Sequence, residues 1–321
     1  MKNIAILTGG DSAEYDISIL SANTVLQHLN PELFIAYIIH LKDDKFTALV
    51  KDKKIDVEKS NFIFKLEGKP IVFDAVFMAL HGSPAENGII QPYFDALNIS
   101  YTSCNAKVSA LTFDKYKCNK QLKKLGFSCA SSLLYKKGDK IDQQKIIDCV
   151  KLPCFVKPNG AGSSFGISKV KQQSDLTTAI NSALKHDSKV LIEQFIDGTE
   201  ISVGVYYNGE SIQALPVTEI VSENEFFDYQ AKYEGGSEEI TPARISKELT
   251  SEVQQLTVDI YKAMQLRGIC RIDYIVMNEK PYVIEINTIP GLSEESIIPQ
   301  QVKSANLKLS AIFESCLSHT K

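Results

Sequence analysis

The chain has no apolar run approaching the ~18 residues of a membrane-crossing helix, and it has no excess of positive charge. Lys+Arg number 35 against 39 Asp+Glu, for a formal net charge of −4 and a pI of about 5.8. The basic footprint of a nucleic-acid binder is therefore missing. Seven cysteines, at 104, 118, 129, 149, 154, 270 and 316, form no CxxC pair and no metal-ligand spacing. Their scatter and odd count read as reduced, mostly buried thiols of a cytosolic protein. There is no internal repeat or low-complexity segment, and the apolar stretch of MKNIAILTGG is too short for a secretory signal. The GxGxxG fingerprint of a dinucleotide site and the GK[ST] of a Walker loop are absent as well. What remains is ordinary globular composition, 44% hydrophobic and 23% charged over 321 residues, room for about two or three domains.

The most informative stretch is Cys270 to Gly291, CRIDYIVMNEKPYVIEINTIPG. Two alternating runs, Arg271–Met277 and Pro281–Asn287, flank turn material at Asn278-Glu279-Lys280, which predicts a β-hairpin with a three-residue loop. Side chains alternate faces along a strand, so Arg271 and Asp273 share a side, as do Glu285 and Asn287. In that register Asp273 lies opposite Glu285 and Arg271 opposite Asn287. Carboxylates facing each other across a ladder repel and ask for a cation between them. An oxygen-only set without His or Cys suits Mg²⁺ rather than Zn²⁺, and Mg²⁺ with few protein ligands keeps water and phosphate oxygens. Two acids alone read equally well as the wet face of a surface hairpin. The strand-breaking Thr288-Ile-Pro-Gly291 favours the metal–nucleotide reading, because it puts the polar residues at a strand end beside a loop.

The chain opens as strand, glycine turn and helix: Asn3–Leu7, Gly9-Gly10, then a helical pattern from Ser18 to Leu29. That is the start of an open α/β sheet, whose ligands bind outside the carboxyl ends of its strands. Ser12 and Glu14 fall there, although an acid near a helix N-terminus is also favoured by the dipole alone. Strands are predicted over Phe34–Leu41, Asp74–Leu80 and Ile99–Thr102, with a helix over Gly88–Leu97. His81 follows the second of these strands, a place where a histidine is more often structural than catalytic. A helix over Asp114–Leu125 begins with Lys115. Cys154–Pro158 is a strand ending in Lys157, followed by Asn159-Gly-Ala-Gly-Ser-Ser-Phe-Gly166 and a strand over Ile167–Val170. This loop has two readings, a flexible hairpin tip or a lid whose backbone N–H groups ring an anion. A helix over Leu176–Leu184 follows. Strands over Val190–Phe195, Thr199–Tyr207 and Ser211–Ile220 come next, the last pair joined at Asn208-Gly209. Glu193 and Glu200 stand either side of a connection between layers, as surface acids or as the lining of a nucleotide pocket. Glu223–Ala243 is long, aromatic and aperiodic, the character of a functional loop. Leu249, Val253, Leu256, Ile260 and Met264 mark one face of a helix over Glu248–Leu266, and a last helix spans Leu307–Leu317.

The ordered set GGDSAEYDIS, ALHG, DKYKCNK, FVKPNGAGSSFG, VLIEQFIDGTE, YQAKY, RIDY and EINTIPGLSEES resembles the D-alanine–D-alanine ligases of the ATP-grasp superfamily along nearly the whole chain. The resemblance implies an α/β chain of ATP-grasp fold: an N-terminal open parallel α/β domain, 1–103, and two α+β subdomains clasping ATP, 104–193 and 194–321. It implies phosphorylation of one D-alanine by ATP and attack on the acyl phosphate by the amine of a second, for peptidoglycan precursor synthesis. Lys115, Lys157 and Lys232 match phosphate-binding lysines. Glu193, Phe195, Ile196 and Glu200 match the adenine–ribose pocket. Asp273, Glu285 and Asn287 match the ligands of two Mg²⁺ ions, replaceable by Mn²⁺, with Glu285 bridging. Arg271 and the Gly291 N–H match oxyanion stabilisers, Glu14 the anchor of the first ammonium, and Ser296 a binder of the second carboxylate. Ser163 and Tyr233 match links between glycine loop, lid and Glu14, and His81 a histidine near the substrates. The family pattern further implies a cytoplasmic homodimer with neither nucleic-acid nor membrane partner.

Departures are Ala161 where the family usually has Glu, Ser83-Pro-Ala-Glu-Asn-Gly88 for the family's usual glycine- and Asp-containing version, and Cys270 for a common glycine. Tyr233 stands at a lid position that is Tyr in dipeptide makers and Phe in those accepting D-lactate, which favours an amine nucleophile here. The competing readings are another ATP-grasp carboxylate–amine ligase, a non-catalytic nucleotide-binding module and, furthest, a dinucleotide oxidoreductase.

Overall fold

The computed structural model describes residues 1–160, 166–222 and 237–320. The N-terminal third comprises β1 (Lys2–Gly9), α1 (Tyr15–His28), β2 (Phe34–Lys42), β3 (Lys45–Val50), β4 (Lys53–Asp56), a small hairpin of β5 (Phe64–Leu66) and β6 (Lys69–Ile71), β7 (Ala75–Met78), α2 (Gln91–Ala96) and β8 (Ser100–Tyr101). Its sheet runs β4-β3-β2-β1-β7-β8. The four strands β2, β1, β7 and β8 are parallel, and β3 and β4 extend the edge antiparallel. The expected parallel sheet is thus a mixed one. Asp43 and Asp44 both take positive φ, 49° and 60°, and form a two-residue turn of the hairpin type. An Asp-Asp pair announces such a turn far less clearly than Asn-Gly does.

Helices α3 (Ala106–Phe113) and α4 (Lys115–Lys124) follow, with Asn105 and Asp114 as N-caps accepting from the Val108 and Lys117 N–H groups. The second sheet is built from β9 (Ser132–Lys136), β10 (Cys154–Pro158), β11 (Ser168–Val170) and β12 (Lys189–Gln194), with α5 (Gln143–Val150) and α6 (Leu176–Ala183) on one face. Its order is β11-β10-β12-β9, antiparallel throughout. The third sheet runs β16-β15-β13-β17-β18, with β14 beside β13. Its strands are β13 (Thr199–Tyr207), β14 (Ile212–Ala214), β15 (Thr218–Ser222), β16 (Ser237–Ile240), β17 (Cys270–Met277) and β18 (Lys280–Asn287). Helices α7 (Lys247–Ala263), α8 (Ile297–Ser304) and α9 (Leu309–Ser318) pack against it. The run expected as one strand over 211–220 is two, β14 and β15, separated by Leu215–Val217. The aperiodic stretch expected over 223–243 contains β16; its residues 223–236 lie outside the described ones.

The apolar face read in α7 is buried: Leu249, Val253, Ile260 and Met264 join a core with Ile201, Ile272 and Tyr274 of the third sheet. Val108, Cys118 and Leu122 of α3 and α4 belong to that same core, although they precede the second sheet in sequence. A second cluster joins Ile4 and Phe77 of the first sheet to Ile298, Phe313 and Leu317 of α8 and α9. No helix among the described residues is long and apolar enough to cross a membrane.

Candidate active site

The three sheets converge on a cleft of about 830 Å³. The cleft face of the third sheet can be read from its register. Asp273 pairs with Glu285 and Arg271 with Asn287, as the hairpin reading expects, but by a different route. The turn is the two-residue Asn278-Glu279, both at positive φ (50° and 59°), and Met277 pairs with Lys280. An irregularity beside Asp273 then shifts the ladder by one residue. A β-bulge re-aims side chains in this way, and here it compensates for the shorter turn.

Across the other edge of β17, Asp273 pairs with Ser202 and Ile275 with Glu200. Ser202 Oγ donates to Asp273 Oδ1 at 2.6 Å. Arg271 grips both carboxylate oxygens, Nε to Oδ1 at 2.9 Å and Nη2 to Oδ2 at 2.8 Å, and Asn287 Nδ2 donates to Oδ2 at 3.0 Å. A carboxylate offers about four lone-pair sites, so Asp273 is fully satisfied. Burial works against the Arg271 charge, but Asp273, Glu285 and Glu239 more than offset it and raise the guanidinium's pKa. Glu285 Oε2 lies 3.0 Å from Lys115 Nζ at the start of α4. Desolvation opposes the charge of that lysine too; Glu285, Glu86 and Glu193 outweigh it, and its pKa is raised. Each acid of the opposed pair is thus matched by a basic side chain of the chain itself.

Lys157 and Glu193, diagonal neighbours on β10 and β12, form a buried ion pair at 2.7 Å, and Asn119 Nδ2 of α4 donates to the other Glu193 oxygen at 2.8 Å. Asn159 brings the two lysines to one cleft. Its carbonyl accepts from the Lys115 N–H at 3.2 Å and its side chain from the Tyr116 N–H at 2.9 Å, so the end of β10 is tied to the first turn of α4.

On the opposite wall Glu14 precedes α1, and its carboxylate lies so close to Gly82 that a Cβ there would sit 2.9 Å from Oε2. Gly82 has φ +72°, a conformation glycine takes without strain. His81 is buried and clasped at both ring nitrogens, Nδ1 to the Ile289 carbonyl at 2.7 Å and Nε2 to Ser21 Oγ at 2.8 Å. A carbonyl only accepts, so the neutral ring carries its proton on Nδ1 and Ser21 donates to Nε2. Ser21 Oγ in turn accepts from the Leu292 N–H at 3.0 Å. His81 and Ser21 therefore anchor the loop that carries Gly291. A Cβ on Gly291 would lie 2.7 Å from Ser296 Oγ, and Ser296, the N-cap of α8, bonds Ser293 Oγ at 2.7 Å.

Of the residues singled out in the sequence, Glu14, His81, Lys115, Lys157, Glu193, Ile196, Glu200, Arg271, Asp273, Glu285, Asn287, Gly291 and Ser296 all line this cleft. Phe195 does not line it: its ring packs edge-on against Phe155 at 5.7 Å and under Lys169 Nζ at 3.9 Å. Ser163, Lys232 and Tyr233 lie outside the described residues, as does Ala161. Sequence reasoning passed over Ser21, Glu86, Asn119, Ser202 and Glu239. Asn119 falls inside the DKYKCNK motif, and Ser202 follows two residues after Glu200 on the same strand face, the only signals that pointed to them. Among the described residues no group of three His, Cys, Asp or Glu side chains is arranged to hold a metal; the trio read from sequence is two acids and an amide.

Two antiparallel sheets lining one cleft with lysine–glutamate pairs, Lys157–Glu193 buried and Lys115–Glu285 half-buried, beside an N-terminal α/β sheet, define an enzyme of the ATP-grasp class. Family models described as D-ala D-ala ligase N-terminus and C-terminus match residues 3–104 and 122–318, and the chain belongs to this family of ATP-dependent ligases. It is 47% identical over 319 residues to the D-alanine–D-alanine ligase of Flavobacterium johnsoniae, covering 99% of this chain and 98% of the relative. It is 45% identical over 317 residues to that of Christiangramia forsetii, covering 98% and 97%. Among solved structures, the VanG D-Ala:D-Ser ligase of Enterococcus faecalis superposes with a TM-score of 0.87 at 30% identity, covering 99% of this chain and 98% of that one.

Proposed function

We propose that this chain joins two D-alanines into D-alanyl-D-alanine at the expense of ATP, supplying peptidoglycan precursors. In the first half-reaction a carboxylate oxygen of one D-alanine takes the γ-phosphoryl group and ADP leaves. In the second, the amine of another D-alanine attacks the acyl carbon, the bond to the phosphate oxygen breaks, phosphate departs and the amine gives up a proton. The observation that carries this reading is the convergence of Lys115, Lys157 and Arg271 with Asp273, Glu285 and Asn287 on one cleft.

Phosphoryl transfer is mostly positioning and charge neutralisation. Lys115 and Lys157, with Lys232, serve the phosphates, and Ile196, Glu193 and Glu200 the adenosine; Phe195, whose ring lies outside the cleft lining, is left without a role there. Glu14 receives the first ammonium and Ser296 the second carboxylate. Arg271 and the Gly291 N–H are donors for the oxyanion that develops on acyl transfer, and His81 acts through Ile289 and Ser21 on the loop that presents Gly291. The resemblance alone gives Ser163 and Tyr233, both outside the described residues, as partners of Glu14. The oxygen-only donors Asp273, Glu285 and Asn287 suit two Mg²⁺ ions, or Mn²⁺, whose chemistry is to clamp the transferring phosphoryl oxygens. Because Asp273 is fully hydrogen-bonded, a cation reaching it has to displace one donor. The family resemblance, not a feature of the fold, supplies the further expectation of a cytoplasmic homodimer. Incubating the protein with ATP, Mg²⁺ and either D- or L-alanine tests the reading: phosphate release confined to D-alanine supports it, and release with L-alanine alone points to a different carboxylate–amine ligase.

A further inference from the structure

An amino acid and its hydroxy-acid analogue differ in charge before they differ in shape. D-Alanine arrives as a zwitterion bearing an ammonium group, and D-lactate as an anion with no cationic group. The wall of the cleft beside Ser296 is acidic. Glu239 of β16 lines it with Glu294 and Glu295, and belongs to a cross-strand row in which it pairs with Ile220 and Ile220 pairs with Glu200. The Glu239 carboxylate is fixed from α8, the helix that Ser296 begins. Gln300 Nε2 donates to Glu239 Oε2 at 2.7 Å and to the Glu295 carbonyl at 2.9 Å. One amide thus ties β16 to the turn carrying Ser296. Glu239 and Arg271 line the same cleft. Ser296 makes no side-chain cap on α8; its hydroxyl bonds Ser293 instead, so the first N–H groups of the helix receive nothing from it.

We propose that Glu239, held by Gln300, determines the specificity of the second substrate by receiving its ammonium group beside Ser296 and by disfavouring the anionic hydroxy acid. The inference rests on the ligase reading above and adds a specificity residue to it. It divides the second amino acid between a positive helix end, which suits a carboxylate, and a negative strand residue, which suits an ammonium. A carboxylate–ammonium contact is a charge-assisted hydrogen bond, and Glu239→Gln keeps its shape and its acceptor for Gln300 while removing the charge.

The test measures the two KM values for D-alanine, the KM for ATP, and the ratio of ester to peptide formed with D-lactate and D-alanine in competition. For Glu239→Gln the KM of the second D-alanine should rise about tenfold, as for one partly hydrated charge-assisted bond. The KM values of the first D-alanine and of ATP should stay at the wild-type level and the ester fraction should rise. Glu239→Asp should recover part of the loss. Gln300→Leu, which removes that one hydrogen bond and keeps the carboxylate, should shift the second KM less and in the same direction. Unchanged second-site KM and ester fraction in Glu239→Gln, or an equal rise in all three KM values, overturns the proposal while leaving the ligase reading intact. A wild-type protein that consumes no ATP with D-alanine overturns both.

Discussion

Glu285 and Asp273 face each other across a ladder, and the protein answers each with its own cation, Lys115 at 3.0 Å and the fork of Arg271. Glu285→Gln removes a proposed metal bridge and the partner of Lys115 in one step. Turnover should fall at least about a thousandfold, the scale on which transition-state electrostatics operate, and circular dichroism should show the fold retained. Measurable ligation in this variant at a tenth of the wild-type rate would contradict the role given to Glu285. Asp114 is a structural counterpart. It caps α4 and lies 3.3 Å from Lys117 Nζ and 3.6 Å from Lys189 Nζ. Burial disfavours its charge, but the Asn159 side chain and the Lys117 N–H and ammonium outweigh that and hold its carboxyl below the ordinary 3.8. A depressed folded-state pKa stabilises above the unfolded value, and the contribution disappears as pH falls through the folded one. Asp114→Ala should therefore cost about 1 kcal/mol at neutral pH, the usual worth of a helix cap, and progressively less below about pH 4. Asp114→Asn, still a good cap, should recover most of the loss. Urea unfolding at pH 7 and pH 3 measures both.

At the scale of elements, long runs with one clear period were legible. β13 has the predicted bounds, and the buried face of α7 is the one its apolar spacing marks. The antiparallel edge β3–β4 was not legible, because its turn is made by Asp43-Asp44 and Lys51-Asp52, and residues 43, 44 and 51 are non-glycines at positive φ. The same effect hid the true turn of the central hairpin. Asn278-Glu279 reads as part of a three-residue loop when Glu279, at φ +59°, gives no glycine signal. The pairing of Asp273 with Glu285 was nevertheless right, because the ladder shift beside Asp273 restores the parity that the shorter turn removes. Asn119 and Ser202 were missed because each acts through an acid from another segment, Glu193 and Asp273, and such pairings follow only from tertiary placement. Glu279→Gly should stabilise the hairpin by roughly 0.5–1 kcal/mol, since an L side chain there is held in the left-handed region. A lower denaturation midpoint for that variant would contradict the turn assignment. Tyr274→Phe makes the opposite change. The hydroxyl pair between Tyr274 and Thr257 at 2.7 Å, between β17 and α7, is fully buried, and its loss should cost about 1 kcal/mol.

The molecule as a whole is held together by a core that crosses the sheet boundaries. Phe313 of α9 is fully buried and meets Phe77 of β7 edge-on at 5.2 Å, so the last helix is docked onto the first sheet. The anchor of the Gly291 loop is shared in the same way, with His81 and Ser21 from the N-terminal third holding Ile289 and Leu292. Phe313→Ala should therefore cost roughly 3–5 kcal/mol, and calorimetry should show the N-terminal and C-terminal thirds losing stability together. A separate early transition would show that the shared core does not couple them. This coupling places Glu14 and His81 in a single cleft with Arg271 and Asp273, where a carboxylic acid can be activated and attacked without leaving. The most direct test of that claim is the product formed from ATP, Mg²⁺ and D-alanine, separated and weighed against ADP. One D-alanyl-D-alanine for each ADP, with none from L-alanine, is the expected result. ADP formed without dipeptide, or no ADP at all, would contradict it.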